Sequence, residues 1–201
     1  IPLCGHATLA SSKVLFNNHQ DFHSVHFKNN EGLDLFVRRY GETLEMEFPL
    51  YDTIPQNAPK ELLNALGIKS IVNSAFNRET NILLLEIDSC ELLNRLQPNF
   101  EKLKQSHSGI NGVLVTAISQ RADYDFESRY FWPWSGTNED PVTGGTHTFL
   151  SKYWSTRLNK LKMNSFQCSE RSGFMEVELI SDTKLLIRSE AQIVLSGELR
   201  V

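Results

Sequence analysis

One short segment of this 201-residue sequence contains both a proton-transfer group and the elements of an anion site. Asp140-Pro141 favours a turn, and Gly144-Gly145 follows directly before apolar residues at helical spacing. Glycines at the start of a helix let the backbone approach a ligand, and the exposed N–H groups there attract an anion. The segment 138–154 is therefore a candidate site, although an ordinary turn with a helix cap uses the same residue types.

The beginning of the chain repeats part of this segment. Gly5 corresponds to Gly144, and both glycines precede an amphipathic stretch that is rich in Thr, Leu and Ser. His6 stands next to Gly5, and a neutral imidazole at a helix start can donate a hydrogen bond or shuttle a proton. Taken alone, however, His6 is better explained as a surface histidine near a helix cap.

The strands that follow each helix repeat as well. Residues 25–37 and residues 166–177 both predict a strand, a turn that ends in glycine, and an alternating strand. Each copy then leads through a second turn to another strand, at 43–48 in the first copy and 183–188 in the second. A helix and three strands used twice in this order predict a duplicated fold.

The remaining pattern predicts further strands and short helices. The apolar run 82–85 predicts a strand that is covered on both faces. The polar loop 106–111 favours a division of the chain into two halves at residues 1–110 and 111–201. The other predicted elements are helices at 59–67, 89–96 and 99–105, and strands at 70–76, 81–87, 113–119, 124–132 and 192–195.

Four motifs resemble the PhzF-like (phenazine biosynthesis-like) proteins, and they occur in the order that the family has. They are Ile1-Pro-Leu-Cys-Gly-His-Ala-Thr-Leu-Ala10, Ser128-Arg-Tyr-Phe-Trp-Pro-Trp-Ser-Gly-Thr-Asn-Glu-Asp-Pro-Val-Thr-Gly144, Tyr153-Trp-Ser155 and Gln167-Cys-Ser-Glu-Arg171. The resemblance covers the whole chain and implies the diaminopimelate epimerase-like fold. This is an α+β fold of two similar halves, each a curved, mostly antiparallel sheet around a central helix, with the active site between them.

The resemblance also implies a reaction and a set of site residues. The expected reaction is an isomerisation by proton transfer on a small carboxylate-bearing metabolite, without a metal or a cofactor. The catalytic residues that match the family motifs are His6 and Asp140. Backbone N–H groups and a hydroxyl for substrate binding are expected at Gly5, Gly144, Gly145 and Thr146.

Two departures from the family pattern weaken this expectation. The family commonly has a serine where this chain has Gly145, and the sequence leaves open whether Thr146 replaces it. The principal glutamate of the family lies in a segment upstream of the Cys-Gly-His helix, and no stretch of these 201 residues reproduces that segment. We therefore expect an N-terminally truncated chain that is itself inactive as an isomerase. The alternative is a catalytically silent member that binds a small anion or a protein.

The three cysteines favour no second chemistry. Cys4, Cys90 and Cys168 lack the spacing of a metal site and are expected to be reduced thiols of a cytoplasmic protein. A racemase with two thiol bases is disfavoured because the second helix start has Asp140-Pro141 and no cysteine. A Cys4–His6 hydrolase is disfavoured because residues two apart at a helix start point in different directions.

Composition excludes several other classes. Hydrophobic residues make up 40% of the chain and the formal net charge is −4, as in ordinary globular proteins. The sequence has no basic patch, so nucleic acid is not an expected partner. It also has no apolar stretch long enough to span a membrane. Members of the family that this sequence resembles are often dimers, so a homodimer is one of the expected oligomeric states.

Overall fold

The computed structural model describes residues 5–30 and 32–197, and two copies of a helix followed by three strands stand out in it. Both copies were predicted from the repeat in the sequence. The first consists of α1 (Gly5–Asn18), β1 (Ser24–Lys28), β2 (Asp34–Tyr40) and β3 (Thr43–Pro49). The elements that follow it are β4 (Ile54–Pro55), α2 (Lys60–Leu66), β5 (Asn73–Asn77), β6 (Ile82–Glu86), α3 (Cys90–Arg95), α4 (Phe100–Ser106), β7 (Gly112–Ile118), β8 (Phe126–Phe131) and β9 (Glu139–Asp140). The second copy is α5 (His147–Leu158), preceded by a 3-10 turn at Gly144–Thr146, then β10 (Lys162–Gln167), β11 (Gly173–Ser181) and β12 (Lys184–Ser189).

All strands of the described residues belong to one sheet. Its order is β1-β2-β3-β12-β11-β10-β8-β7-β6-β5-β4, and β9 pairs with β8. The pairs β6–β7 and β8–β10 are parallel, whereas the other neighbours are antiparallel. The two three-strand copies meet through their last strands, where Met46 of β3 lies opposite Ile187 of β12. The duplicated α+β architecture predicted from the sequence is thus confirmed.

The central helices of the two copies share one core. Phe16 of α1 and both Phe149 and Trp154 of α5 are buried in a cluster with inward-facing residues of β3 and β12. Alternation explains this arrangement, because every second side chain of a strand points to the same face of the sheet. Burying the apolar side of each helix against the strands of its own copy brings the two helix starts to the same region.

A second hydrophobic core lies on the opposite face of the sheet and is formed mainly by the middle of the chain. Leu83 and Leu85 of β6 pack there with residues of α2, α3 and α4, while Ile82 and Leu84 of the same strand belong to the first core. The prediction that the run 82–85 is covered on both faces is therefore confirmed. β6 and β7 pair directly across position 110/111, and the division into halves there stays a prediction.

One predicted strand is wrong. Residues 192–195 form no strand, and Val194 and Leu195 are exposed. The physical reason is that both edges of the preceding strand, β12, are already paired, with β11 on one side and β3 on the other. An apolar alternation at this place therefore finds no free neighbour. The strand predicted at 70–76 also begins later, at Asn73.

Two further observations concern the classes of protein considered above. Over residues 5–30 and 32–197, no helix has both the length and the apolar character required to cross a bilayer. Within the same residues, His, Cys, Asp and Glu side chains form no group of three or more that could hold a metal ion.

Candidate functional site

Both helix starts of the sequence repeat border one cavity. Its volume is about 320 Å³, at the small end of the roughly 300–1,000 Å³ that is usual for ligand pockets. The residues predicted for the site from the sequence all line it, and they are Gly5, His6, Asp140, Gly144, Gly145 and Thr146. The structure thus brings the whole predicted set together, while the roles assigned to these residues stay predictions.

Phe48 occupies the space between the two helix starts. A Cβ atom added to Gly5 would lie 3.1 Å from Cζ of Phe48, and one added to Gly144 would lie 4.0 Å from the same atom. Phe48 is buried on β3, so the sheet fixes the position of its ring. The first N–H groups of a helix have no acceptor within the helix, and the helix dipole makes that end positive. The glycines therefore leave backbone donors of α1 and of the turn before α5 close to the cavity.

The neighbouring carboxylates Glu139 and Asp140 have different surroundings. Arg129 donates from Nε and Nη2 to the two oxygens of Glu139, both at 2.7 Å, and from Nη1 to the carbonyl oxygen of Leu96 at 2.8 Å. This bidentate ion pair links β9 to β8 and so holds the start of the loop that follows β9. Asp140 lines the cavity instead and accepts a hydrogen bond from the hydroxyl of Thr143. Of the two, Asp140 is the carboxylate available for chemistry.

The loop after Asp140 is held by the end of β10. The buried amide of Gln167 donates to the carbonyl oxygen of Asp140 at 2.6 Å, and its Oε1 accepts from the N–H of Thr143 at 2.8 Å. The hydroxyl of Ser169 donates to the carbonyl oxygen of Pro141. Gln167 and Ser169 belong to a motif that carried the resemblance, but their local sequence gave no sign of this function.

A buried histidine contacts the same loop from the interior of the protein. His147 is fully buried, with Nδ1 at 3.0 Å from the carbonyl oxygen of Thr143 and Nε2 at 2.9 Å from Oγ of Ser165. Burial lowers the pKa of His147 to about 4, and the hydrogen bond to Thr143 only partly opposes this effect. The ring is therefore neutral near pH 7 and donates from Nδ1. No pattern in the local sequence around His147 indicates this role.

The contacts at positions 145 and 146 show how this chain differs from family members that have a serine at position 145. The hydroxyl of Thr146 donates to the carbonyl oxygen of Thr143 at 2.9 Å, so its proton is engaged inside the loop. A Cβ atom added to Gly145 would meet no atom within 4 Å. The cavity wall is thus open at Gly145, the place where the resemblance predicts a serine.

The rest of the wall comes from residues outside the predicted set of site residues. Tyr51, Glu79, Tyr130 and Trp132 all line the cavity. Burial and, to a lesser degree, the charge of Asp140 raise the pKa of Tyr130 far above its usual range, so its phenol stays protonated and can donate. Glu79 lies in a tight turn between β5 and β6, and nothing in that local pattern distinguishes it from a surface residue.

The described cysteines have no reactive character. Burial, and secondarily the charge of Glu127, raises the pKa of Cys90 to about 11 and that of Cys168 to about 12. Thiols with such values are largely protonated near pH 7 and are poor nucleophiles. Cys4 lies outside the described residues.

Comparison with known proteins identifies what the chain resembles. The family model described as phenazine biosynthesis-like protein matches residues 1–197. A phenazine biosynthesis-like domain-containing protein from Mus musculus is 40% identical over 212 residues, which cover 99% of this chain and 73% of the mouse protein. An uncharacterised isomerase from Halalkalibacterium halodurans is 38% identical over 202 residues, covering 99% of this chain and 74% of its own length.

A solved structure agrees with these relatives. A phenazine biosynthesis PhzC/PhzF protein from Clostridium difficile superposes with a TM-score of 0.88 at 32% sequence identity. The superposition covers 100% of this chain and 74% of the other. Similarity of sequence and similarity of fold therefore point to the same group of proteins.

Proposed function

Because the chain belongs to the phenazine biosynthesis-like protein family and has its diaminopimelate epimerase-like fold, we propose that it isomerises a small carboxylate-bearing metabolite by proton transfer, without a cofactor. The names of relatives support a role as an isomerase at the level of the family. The finer statement rests on the cavity of this chain and on the groups that line it.

The observation that carries the proposal is the meeting of two helix starts at one cavity. A substrate carboxylate placed there accepts hydrogen bonds from backbone N–H groups at Gly144 and Gly145, opposite those at Gly5. These donors are fixed before the substrate arrives, because Phe48 and the Gln167 contacts hold the segments that carry them. Such fixed donors also stabilise negative charge that develops next to the carboxylate during the reaction.

His6 and Asp140 supply the proton transfer in this proposal, which departs from the expectation that these 201 residues are inactive without the upstream glutamate segment. Both residues line the cavity, His6 in the first turn of α1 and Asp140 at the end of β9, before the turn that leads into α5. One of them removes a proton from a carbon atom of the substrate, and a proton is returned at another position, so that the product is an isomer. The buried phenol of Tyr130 keeps its proton and offers a further donor on the same wall.

Hydrogen isotope exchange with a mixture of candidate substrates tests the proposal. The protein is incubated in deuterium oxide with a pool of small carboxylic acids, and mass spectrometry detects any acid that gains carbon-bound deuterium or changes its retention time. We expect one or few acids to respond, and we expect His6→Asn and Asp140→Asn to reduce the exchange rate by about a hundredfold or more. The matched controls His23→Asn and Asp21→Asn change exposed residues outside the cavity and should leave the rate unchanged.

A binding experiment separates an enzyme from a silent binding protein. Calorimetry with acids and their amides should show tighter binding of the acids, since a charge-assisted hydrogen bond contributes about 1.5–3 kcal/mol. Preference for acids without any isotope exchange would favour the silent member of the family. Equal affinity for acids and amides would rule out the anion site.

A further inference from the structure

The charges around the cavity are unevenly distributed. Its described lining includes the carboxylates Glu79 and Asp140 but neither Lys nor Arg. Attraction of an anion therefore depends on the positive ends of the helices near Gly5 and Gly144. A second anionic group that came close to Glu79 would instead be repelled, because no cation of the lining compensates this carboxylate.

Glu79 is held in position by a buried amide. Asn77 is fully buried, and its Nδ2 donates to Oε2 of Glu79 and to the carbonyl oxygen of Asp52, both at 2.8 Å. Its Oδ1 accepts from the N–H and from the hydroxyl of Thr80, at 2.8 and 2.6 Å. The amide thus orders the turn and one carboxylate oxygen. Within residues 5–30 and 32–197, the other oxygen, Oε1, accepts no hydrogen bond.

The field of Glu79 extends into the cavity. Tyr51 lines the same cavity, and its pKa is raised first by burial and second by the charge of Glu79. The phenol of Tyr51 is therefore neutral at physiological pH. A ligand group near these two residues meets one neutral donor and one fixed negative charge.

We propose that Glu79 is a specificity-determining residue that sets the charge of the substrate end remote from the carboxylate. A cationic or neutral end is accepted, and a second anionic group is rejected. This inference rests on the proposed function, because it places the substrate carboxylate at the helix starts. The substrate class that fits is a monocarboxylate with an amine or a neutral polar group, and not a dicarboxylate or a phosphorylated acid.

Probes that share one tether and differ only at the far end test this inference. At one length these are 4-aminobutyrate, pentanoate and glutarate, and at a longer length 6-aminohexanoate, heptanoate and pimelate. Affinities are measured by calorimetry for the unchanged protein, for Glu79→Gln and for the charge reversal Glu79→Lys. The matched control is Glu101→Gln, which neutralises an exposed carboxylate on α4 outside the cavity.

The expected result is an order of affinity that follows the charge of the far end. At one or both lengths the amine should bind roughly tenfold or more tightly than the dicarboxylate, the unsubstituted acid falling between them. Glu79→Gln should remove this preference, Glu79→Lys should invert it, and Glu101→Gln should retain it. Because Glu79 is exposed to solvent, the preference should also shrink at high salt.

The outcomes of these measurements distinguish this inference from the proposed function. Equal affinities of the three far ends for the unchanged protein, or a preference that survives Glu79→Gln, would overturn the role of Glu79 alone. The amide of 4-aminobutyrate tests the carboxylate end separately. If acid and amide bind equally while Glu79→Gln still abolishes the preference for the amine, the anion site fails and the role of Glu79 stands. If no probe binds, both the anion site and the role of Glu79 fail.

Discussion

Acidification should destabilise this protein through one buried histidine. The imidazole of His147 is fully buried beneath the loop that carries Asp140, and burial lowers its pKa from an ordinary value of 6.5 to about 4. The hydrogen-bond partner of Nε2 does not cause this shift. This partner is the hydroxyl of Ser165, which lies 2.9 Å from Nε2 and also 3.1 Å from the carbonyl oxygen of Met175. That hydroxyl can donate to a neutral ring or accept from a protonated one.

The direction of the effect follows from proton binding. Between pH 6.5 and about pH 4 the unfolded chain carries a proton on this imidazole that the folded chain does not carry. The contribution of His147 to the free energy of unfolding is therefore fully present above pH 6.5 and is lost as the pH falls towards 4. The loss is about 2 kcal/mol at pH 5 and reaches about 3 kcal/mol once both states are protonated.

The assay is urea unfolding of the unchanged protein and of His147→Gln at several pH values from 7.5 to 5. The glutamine keeps a polar group at this position but does not titrate. Other titrating groups contribute equally to both proteins, so the difference between their unfolding free energies isolates His147. It should shrink by about 2 kcal/mol between pH 7.5 and pH 5. Carbon-13 resonances of the ring should in addition show a neutral imidazole with the proton on Nδ1 down to pH 5.

Two results would refute this reasoning. Parallel pH dependence of the two proteins would show that His147 contributes nothing to acid lability. A native His147 that titrates near pH 6.5 in the unchanged protein would show that burial does not penalise its charge, and this measurement does not require the variant to fold.

Two glycines and two thiols give further predictions. Gly145→Ala should change the free energy of unfolding by less than about 1 kcal/mol, because the added Cβ meets no atom within 4 Å. Gly173→Ala should destabilise by about 1–3 kcal/mol, because its Cβ would lie 2.5 Å from Cγ2 of Val142; similar urea midpoints for the two variants would contradict this contrast. At pH 8, iodoacetamide should modify Cys90 and Cys168 of the native protein at least about tenfold more slowly than in urea, since both thiols are buried and have raised pKa values. Peptide mass spectrometry measures the modification of the two cysteines separately. Equal rates in the native protein and in urea would show that the fold does not protect these thiols.

The sequence by itself determined the elements and much of the candidate site. Alternation of Leu44, Met46 and Phe48 predicted β3, because alternation records which side of a strand is buried, and the repeat in the sequence predicted its counterpart β12. The glycines at the start of α1 and in the turn before α5 predicted where the two helices begin. The motifs around His6 and Asp140 identified the family, and the cavity contains both residues.

Only the tertiary structure decided which segments meet. The apolar pattern at 192–195 is locally suited to a strand, but β12 has no unpaired edge to accept it. Glu79 reads as part of a hairpin turn, and its place on the cavity wall depends on how β5 and β6 lie in the sheet. Gln167 and His147 act on a loop that follows β9, through contacts that the folded chain creates. Local patterns specify the burial of a residue, whereas pairing and the walls of a cavity arise from contacts between residues far apart in the chain, which no local pattern encodes.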